Sequence, residues 1–573
     1  MKVQRVSIKN FRGIQVCEWL PRPGLSCLVG AGDSTKSTVL DAVSLCLSPR
    51  WNIEFGDGDF YDGCPDEPIE IEVVLSELPD RLLSIDRFGL NVRGIDEDGN
   101  LTDEPDGVQE GLCIRLVVDR SLEPQWFVIG SEIGEPIRLS GLQRENFGVL
   151  TVSDDARHHL RWSKGSALLR LTGETEDLPL ILAEAQRHAR SAIFDNPEAA
   201  LFEAAQKVAE IAVDQQLPTP ANARAGLDPR VHLRSGQLML HAGCLPVESL
   251  GLGSRRLLAI ALQRVAEDGD PNVLVVDELE HGLEPHRLRG LIYRLRNSEN
   301  GDVPQSFVTT HSPIVLENVS IDEVAFVHSK DGVTTISPIP IGLEDEGVGY
   351  QRLARSAPSA LLAERVVIAE GATELGLGWA LLETKATGAG VNAQSVAVMK
   401  SGNTAQAIDK ARLLSQLGYG ACAVVDGDHE FDPSGASLAQ EAGAEVVHWP
   451  DGNDLERQVF SDVPTNRLDH YVRIAIEGNK FNSQTPEQSV CDQVSSDLDV
   501  QLEGDCPSEW LGGNVDETDL RRALGSAASR NRWFKREDLG YALGKAIAAD
   551  WDELTGTALL AGLNKVLDFI ERG

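Results

Sequence analysis

The sequence predicts an α/β protein of more than one domain, built on parallel sheets whose strands are joined by helices. Three observations predict it. Apolar runs of strand length occur at residues 25–29, 272–276, 365–369 and 421–425, each passing into a small-residue or acidic loop and then a helical pattern, which is the alternation of a parallel βα sheet. At 573 residues the chain exceeds what one hydrophobic core organises. Its 42% hydrophobic and 25% charged residues are those of a folded chain.

Residues 1–9 alternate as a strand, Asn10-Phe-Arg-Gly13 makes a turn, and a second apolar stretch ends at Leu25–Val29. The loop Gly30-Ala-Gly-Asp-Ser-Thr-Lys-Ser37 then leads into a helical pattern from Thr38. Strand, loop and helix follow in the order of a phosphate-binding loop. In such a loop the backbone around Gly30, Gly32, Asp33, Ser34, Thr35 and Thr38 cradles phosphate. Lys36 neutralises the outer phosphates and Ser37 ligates magnesium. Thr35 stands where the pattern has its second glycine, and a β-branched residue tolerates unusual backbone angles poorly.

Downstream, residues 272–278 (NVLVVDE) read as a buried parallel strand ending in two acids. Asp277 would hold magnesium through water, and Glu278 would polarise the water that attacks a γ-phosphate. A further apolar stretch, SFVTT, ends at His311-Ser-Pro, where His311 could reach that phosphate. Before the acidic strand, residues 248–256 (ESLGLGSRR) open another helix.

Taken in order, NFRG, the phosphate loop, the Ser/Gly segment before a helix, the apolar strand ending in Asp-Glu and TTHSP resemble the ABC-type ATPase heads of SMC, RecF and OLD proteins. That resemblance implies ATP bound between two protomers, each capping the other's nucleotide with a signature serine, and hence a homodimer or higher homo-oligomer. Ser249, beside Gly251, is the favoured candidate serine, with Ser254 as the alternative. The stretch 178–215 is helical without sustained heptads, which excludes long coiled-coil arms and leaves RecF-like and OLD-like proteins.

Residues 337–349 (SPIPIGLEDEGVG) read as an exit from this first half. A strand then ends at Glu370 and is followed by GATE and a helix. VAVMKSGN and a second helix come next, and another strand ends at Asp426-Gly-Asp428. Ligand sites of a parallel sheet lie beyond the C-terminal strand ends, where these acids would meet. Converging carboxylates repel one another unless divalent cations are present. Hard oxygen ligands without nearby Cys or His favour Mg²⁺ or Mn²⁺ over zinc.

The E-G then D-x-D order over residues 362–460 resembles the Toprim fold, and Toprim behind an ABC head resembles the OLD nucleases. One helical turn brings Glu374 to the face of Glu370. The resemblance implies a further acidic ligand at Glu456, with Asp454 as rival, and a lysine at Lys535 that stabilises the transition state. It implies two metal ions and a phosphodiester hydrolase acting on DNA by nicking or double-strand cleavage. The implied role is antiphage defence or DNA processing, with a neighbouring-gene partner in some systems. No tyrosine near the acids suits covalent topoisomerase chemistry. The rival reading is a nucleotide-switched DNA-binding scaffold whose second half does not cleave. The expected domains are residues 1–177 (N-terminal ATPase lobe), 178–240 (helical insertion, candidate dimerisation element), 241–355 (C-terminal lobe) and 356–573 (Toprim domain with a C-terminal helical extension).

A formal charge of −37 excludes a generally basic nucleic-acid binder. Screening confines fields to roughly 10 Å, so a local basic groove can still act. Candidates are residues 157–164, 287–296 and 530–536; each also fits a solvated helix face, the better reading of the middle one. No apolar run of about 18 residues suggests a membrane span. The N-terminus lacks the apolar core of a signal peptide, so the expectation is cytoplasmic. The nine cysteines show no CxxC pair and are expected to be reduced thiols.

Overall fold

The computed structural model describes residues 1–48, 53–78, 91–96, 98–102, 109–130, 136–144, 149–152, 156–163, 166–172, 177–195, 199–214, 237–265, 273–297, 304–338, 344–385, 395–428, 430–450, 452–478, 485–498, 500–504, 506–511 and 515–572, with residues 82, 88 and 147. Lys164, residues 215–236 of the helical insertion and Asp451 therefore lie outside the described residues. Two compact units are formed, one by Met1–Ser26 with Ser37–Thr310, the other by Cys27–Lys36 with His311–Gly573.

In the first unit β1 (Lys2–Phe11) and β2 (Ile14–Trp19) form a hairpin with Val6 opposite Trp19. The next strand, β3 (Leu25–Val29), spans the division between the units. On its other side β1 pairs antiparallel with β4 (Ile69–Ser76), β4 with β5 (Gln109–Val118), and β5 with β6 (Pro124–Ile129). Three parallel strands follow the order β7 (Val149–Val152), β8 (Val273–Val276), β9 (Ser306–Thr309). Every residue of β8 and β9 is buried, as expected of strands covered on both faces. The helices used below are α1 (Lys36–Cys46), α2 (Leu178–Asp195), α3 (Ala199–Asp214), α4 (Leu252–Val265) and α5 (Pro285–Arg296). α2 and α3 fall in the predicted helical insertion and keep Leu180, Ile181, Phe202 and Val208 exposed.

In the second unit β10 (Val324–Lys330) runs parallel to Cys27–Val29 and forms a hairpin with β11 (Val333–Pro338). A four-stranded parallel sheet follows in the order β13 (Val396–Lys400), β12 (Arg365–Ala369), β14 (Gly420–Val425), β15 (Glu445–His448). Its connecting helices are α6 (Ala372–Thr384), α7 (Thr404–Gln416) and α8 (Pro433–Glu441). Val367, Ile368, Cys422 and Val424 are buried in β12 and β14, so the apolar runs supply the sheet's core.

Among the described residues six helices of eight residues or more close the chain: α9 (Leu455–Asp462), α10 (Leu468–Gly478), α11 (Pro486–Leu498), α12 (Glu517–Arg530), α13 (Glu537–Ala549) and α14 (Ala558–Glu571). They bury Trp449, Phe460, Tyr471, Trp533 and Phe534 in one cluster with the sheet. α6 and α13 touch backbone to backbone. A Cβ on Gly376 would lie 2.1 Å from the Glu537 carbonyl oxygen, and one on Gly540 would lie 2.3 Å from that of Thr373. Glycine is required at this crossing, and the crossing fixes residues 531–536 beside the first turn of α6. Among the described residues no helix is long and apolar enough to cross a membrane.

Candidate functional site

The residues named in the phosphate loop follow β3 as a tight turn into α1. Gly30 is demanded by space, since a Cβ there would lie 2.3 Å from the Val327 carbonyl oxygen. Asp33 and Thr35 both take left-handed backbone angles, φ 58° and 65°. For a β-branched residue that conformation costs on the order of 1–3 kcal/mol. Thr35 is held there by a 2.9 Å hydrogen bond between its hydroxyl and that of Thr334 on β11. The buried Lys36 turns into its own loop and donates to the Gly30 carbonyl at 3.1 Å, the Ala31 carbonyl at 2.6 Å and Ser34 Oγ at 3.0 Å. These acceptors occupy an ammonium that an anion would otherwise engage. Gly32 and Ser37 are exposed and Thr38 is partly covered.

Thr35→Gly removes the strain together with the Thr334 bond, so nucleotide binding is expected to be retained. Titration with a fluorescent ATP analogue checks this. A loss beyond about tenfold, roughly 1.4 kcal/mol, would mean that the hydroxyl bond shapes the loop.

Ser37 Oγ donates to Asp277 Oδ1 at 2.9 Å, joining the start of α1 to the acid just beyond β8. Thr309 Oγ1 donates to the same oxygen at 2.5 Å and accepts from the Glu278 amide at 2.8 Å. The Arg256 guanidinium, nearly fully buried, donates to the Asp277 carbonyl. Glu278 sits at φ 47° with its carboxylate 3.1 Å from His281 Nδ1. His311 is exposed just beyond Thr310. Of the two candidate signature serines, Ser254 accepts from Arg287 Nη1 at 2.9 Å, whereas Ser249 is exposed and donates to the Pro246 carbonyl at 2.6 Å. Gly251 beside it is exposed too. Thr309 and Arg256 were not legible as site residues, because their link to Asp277 exists only once β8, β9 and α4 are assembled.

The acids of the second unit gather at the C-terminal ends of β12 and β14. Register places Ala369 opposite Val424, so Glu370 and Asp426 emerge together. Glu370 Oε2 accepts from the Asp426 amide and from Thr404 Oγ1, each at 2.9 Å. Asp426 Oδ1 accepts from the Leu455 amide at 2.9 Å, at the start of α9. Glu456 is fully buried in the first turn of that helix, and Asp454 caps it by accepting from the Arg457 amide at 2.8 Å. Thr373 donates to the Phe534 carbonyl at 3.0 Å and to Glu456 Oε1 at 3.4 Å. Lys535 Nζ then stands 3.4 Å from Glu456 Oε1 and 4.0 Å from Asp426 Oδ2. Asp428 instead accepts from the Glu430 amide at 2.9 Å.

The electrostatics follow from this crowding. Burial, then repulsion by Glu374, pushes the Asp426 carboxyl up to about 9 against the pull of Lys535. Burial likewise pushes Glu456 to about 7, with Lys535 opposing, and it raises Glu370. Burial works against the Lys535 ammonium, but Glu456, Glu374 and Asp426 outweigh it and hold its pKa above the usual range. Among the described residues two buried carboxylate oxygens of this cluster, Glu374 Oε1 and Glu456 Oε2, have no hydrogen-bond partner. An unpaired buried carboxylate oxygen is costly, and a divalent cation satisfies it, so these residues fit one. Among the described residues no three such side chains are already gathered as a ligand set. Lys535 and the amides of Asp426 and Leu455 hold part of the cluster's ligating capacity.

The model of the family described as "AAA domain, putative AbiEii toxin, Type IV TA system" matches residues 25–317, slightly more than half of the chain. No curated protein matches. The solved structures similar to the chain include an SMC head bound to the C-winged helix domain of ScpA, at 14% identity, 60% coverage of this chain, 100% of that chain and TM-score 0.32. The Smc head domain with an extended coiled coil bound to the C-terminal domain of ScpA, derived from Pyrococcus furiosus, gives 14%, 61%, 99% and 0.34. The SMC head domain from Thermotoga maritima gives 15%, 60%, 100% and 0.28. With the matched segment holding the phosphate loop, the Asp277-Glu278 pair and the Ser249 segment, this is an ATPase-type chain, and it belongs to the AAA domain, putative AbiEii toxin family.

Proposed function

We propose that the chain is an ATP-dependent, divalent-metal-dependent DNA endonuclease of the OLD type, its second half a Toprim nuclease and its first half the ATPase that controls it. The observation that carries this reading is the buried centre of Asp426 and Glu456 against Lys535 at the C-terminal ends of parallel strands. Carboxylates buried beside one another are costly, and a fold accepts that cost where they bind a cation or do chemistry.

Glu370, Glu374, Asp426, Asp428 and Glu456 would hold Mg²⁺ or Mn²⁺, two ions in the full site. Bound there, the metal supplies an activated water and stabilisation of the leaving oxygen. The chain's own residues do the positioning. The Asp426 amide and Thr404 aim the Glu370 carboxylate, the Leu455 amide aims that of Asp426, and the Thr373 contacts tie Glu456 to the loop carrying Lys535. Lys535 offers a fixed positive charge to the phosphoryl oxygens as negative charge builds on them. ATP would act through a dimer in which the exposed Ser249 of each protomer caps the nucleotide of its partner.

Cleavage at fixed Mg²⁺ should differ between no nucleotide, ATP and a non-hydrolysable analogue in the wild type. In Lys36→Ala it should be the same in all three. Unchanged wild-type cleavage across the three conditions would rule out ATP control and leave a constitutive nuclease.

A further inference from the structure

We propose that the outer face of α5 is a binding surface for single-stranded nucleic acid, contacting phosphates through Arg289 and stacking a base on Tyr293. In a chain with 89 acidic against 52 basic residues, α5 (PHRLRGLIYRLR) carries four arginines and a histidine and no acid. Its apolar residues Leu288, Leu291, Ile292 and Leu295 are buried, so helical periodicity turns His286, Arg289, Tyr293 and Arg296 outward along one stripe.

Arg287, Arg294 and Arg296 have interactions of their own. Arg287 pairs with Glu284 at 3.2 Å and donates to Ser254, and so belongs to the fold. Among the described residues Arg289 has no ion-pair partner and the Tyr293 hydroxyl no hydrogen bond. Tyr293 is the most exposed large hydrophobic side chain described, at 68%. An aromatic ring held in water one turn after the exposed Arg289 matches what a flexible strand requires. The ring offers a stacking platform to any unpaired base, and the Arg289 guanidinium engages a flanking phosphate. A duplex offers its phosphates but not a free base face, so the exposed ring favours the single strand. Sequence alone reads this stretch as a solvated helix face; the clean separation of fold-bound Arg287 from the Arg289–Tyr293 stripe distinguishes the two.

Fluorescence anisotropy with a labelled oligothymidylate tests this, using the full chain in EDTA so that binding is read whether or not the protein cleaves. Arg289→Ala and Tyr293→Ala are each expected to weaken binding about tenfold. Arg289→Ala should also flatten the dependence of log K on log salt by about 0.7, while Tyr293→Ala leaves that slope unchanged. Arg289→Lys should keep the wild-type slope. Thermal melts establish that these surface variants remain folded. Equal affinities across the set, or no binding by the wild type, overturn the proposal. An equal loss on duplex of the same length assigns the face to backbone contact without stacking and overturns it too. Unchanged affinity together with a shift in sedimentation assigns it to a contact between copies of the chain.

Discussion

Glu278→Gln is expected to lower steady-state ATP hydrolysis by about a hundredfold or more while leaving ATP binding in place. General-base assistance of this kind contributes about 10²- to 10⁴-fold, and the geometry lets the substitution remove that alone. The Glu278 backbone amide is anchored on Thr309 Oγ1, and its half-exposed side chain pairs with His281. The amide of glutamine has the same shape, so the loop and its neighbour Asp277 stay in place. Lys36→Ala should behave differently. Removing the ammonium that folds onto Gly30, Ala31 and Ser34 takes away both phosphate neutralisation and the loop's internal bonds, so binding and turnover fall together. Nucleotide titration beside a phosphate-release assay separates the two variants. If Glu278→Gln turns over ATP at the wild-type rate, another group activates the water.

The second large effect concerns Asp426 in the absence of metal. Its carboxyl titrates near 9 in the folded protein and near 4 when unfolded, so the folded state holds the proton more tightly. Stability is therefore complete at acid pH and is lost as pH rises from about 4 towards 9, by up to ~1.4 kcal/mol per pH unit. Glu456 adds the same sign up to about 7. Unfolding in EDTA should show the wild type losing a few kcal/mol more than Asp426→Asn between pH 5.5 and pH 8.5, estimated from this linkage. Mn²⁺ should restore the wild type at pH 8.5 and do little for the variant. Parallel pH profiles for the two proteins would mean that Asp426 is solvated or neutralised without a metal.

Legibility in the sequence followed the range of the interactions. The strands ending at Val276, Ala369 and Val425 could be read because an apolar run passes directly into an acid, and the loop at 30–37 because its pattern is local. What could not be read depends on residues distant in the chain. Thr404 reaches Glu370 across 34 positions, Thr373 reaches Phe534 across 161, and Ser529 donates to Asp454 across 75. The approach of Gly376 to α13 that sets Lys535 beside Glu456 is likewise invisible before folding. Thr35 shows the same limit. Its residue type signals a departure from a glycine pattern, but the left-handed angle and the Thr334 hydroxyl that holds it come from the β10–β11 hairpin. The donation from Arg287 to Ser254, across 33 positions, is likewise not displayed by the sequence.

Metal-dependent cleavage centred on Asp426 is read out by incubating supercoiled plasmid with the purified chain. The assay uses Mg²⁺ or Mn²⁺, with and without ATP, beside EDTA controls and Asp426→Ala. Nicked or linear product is expected with metal, none in EDTA and none from the variant. Cleavage by Asp426→Ala at the wild-type rate, or intact plasmid with the wild type under every metal and nucleotide condition, would contradict it.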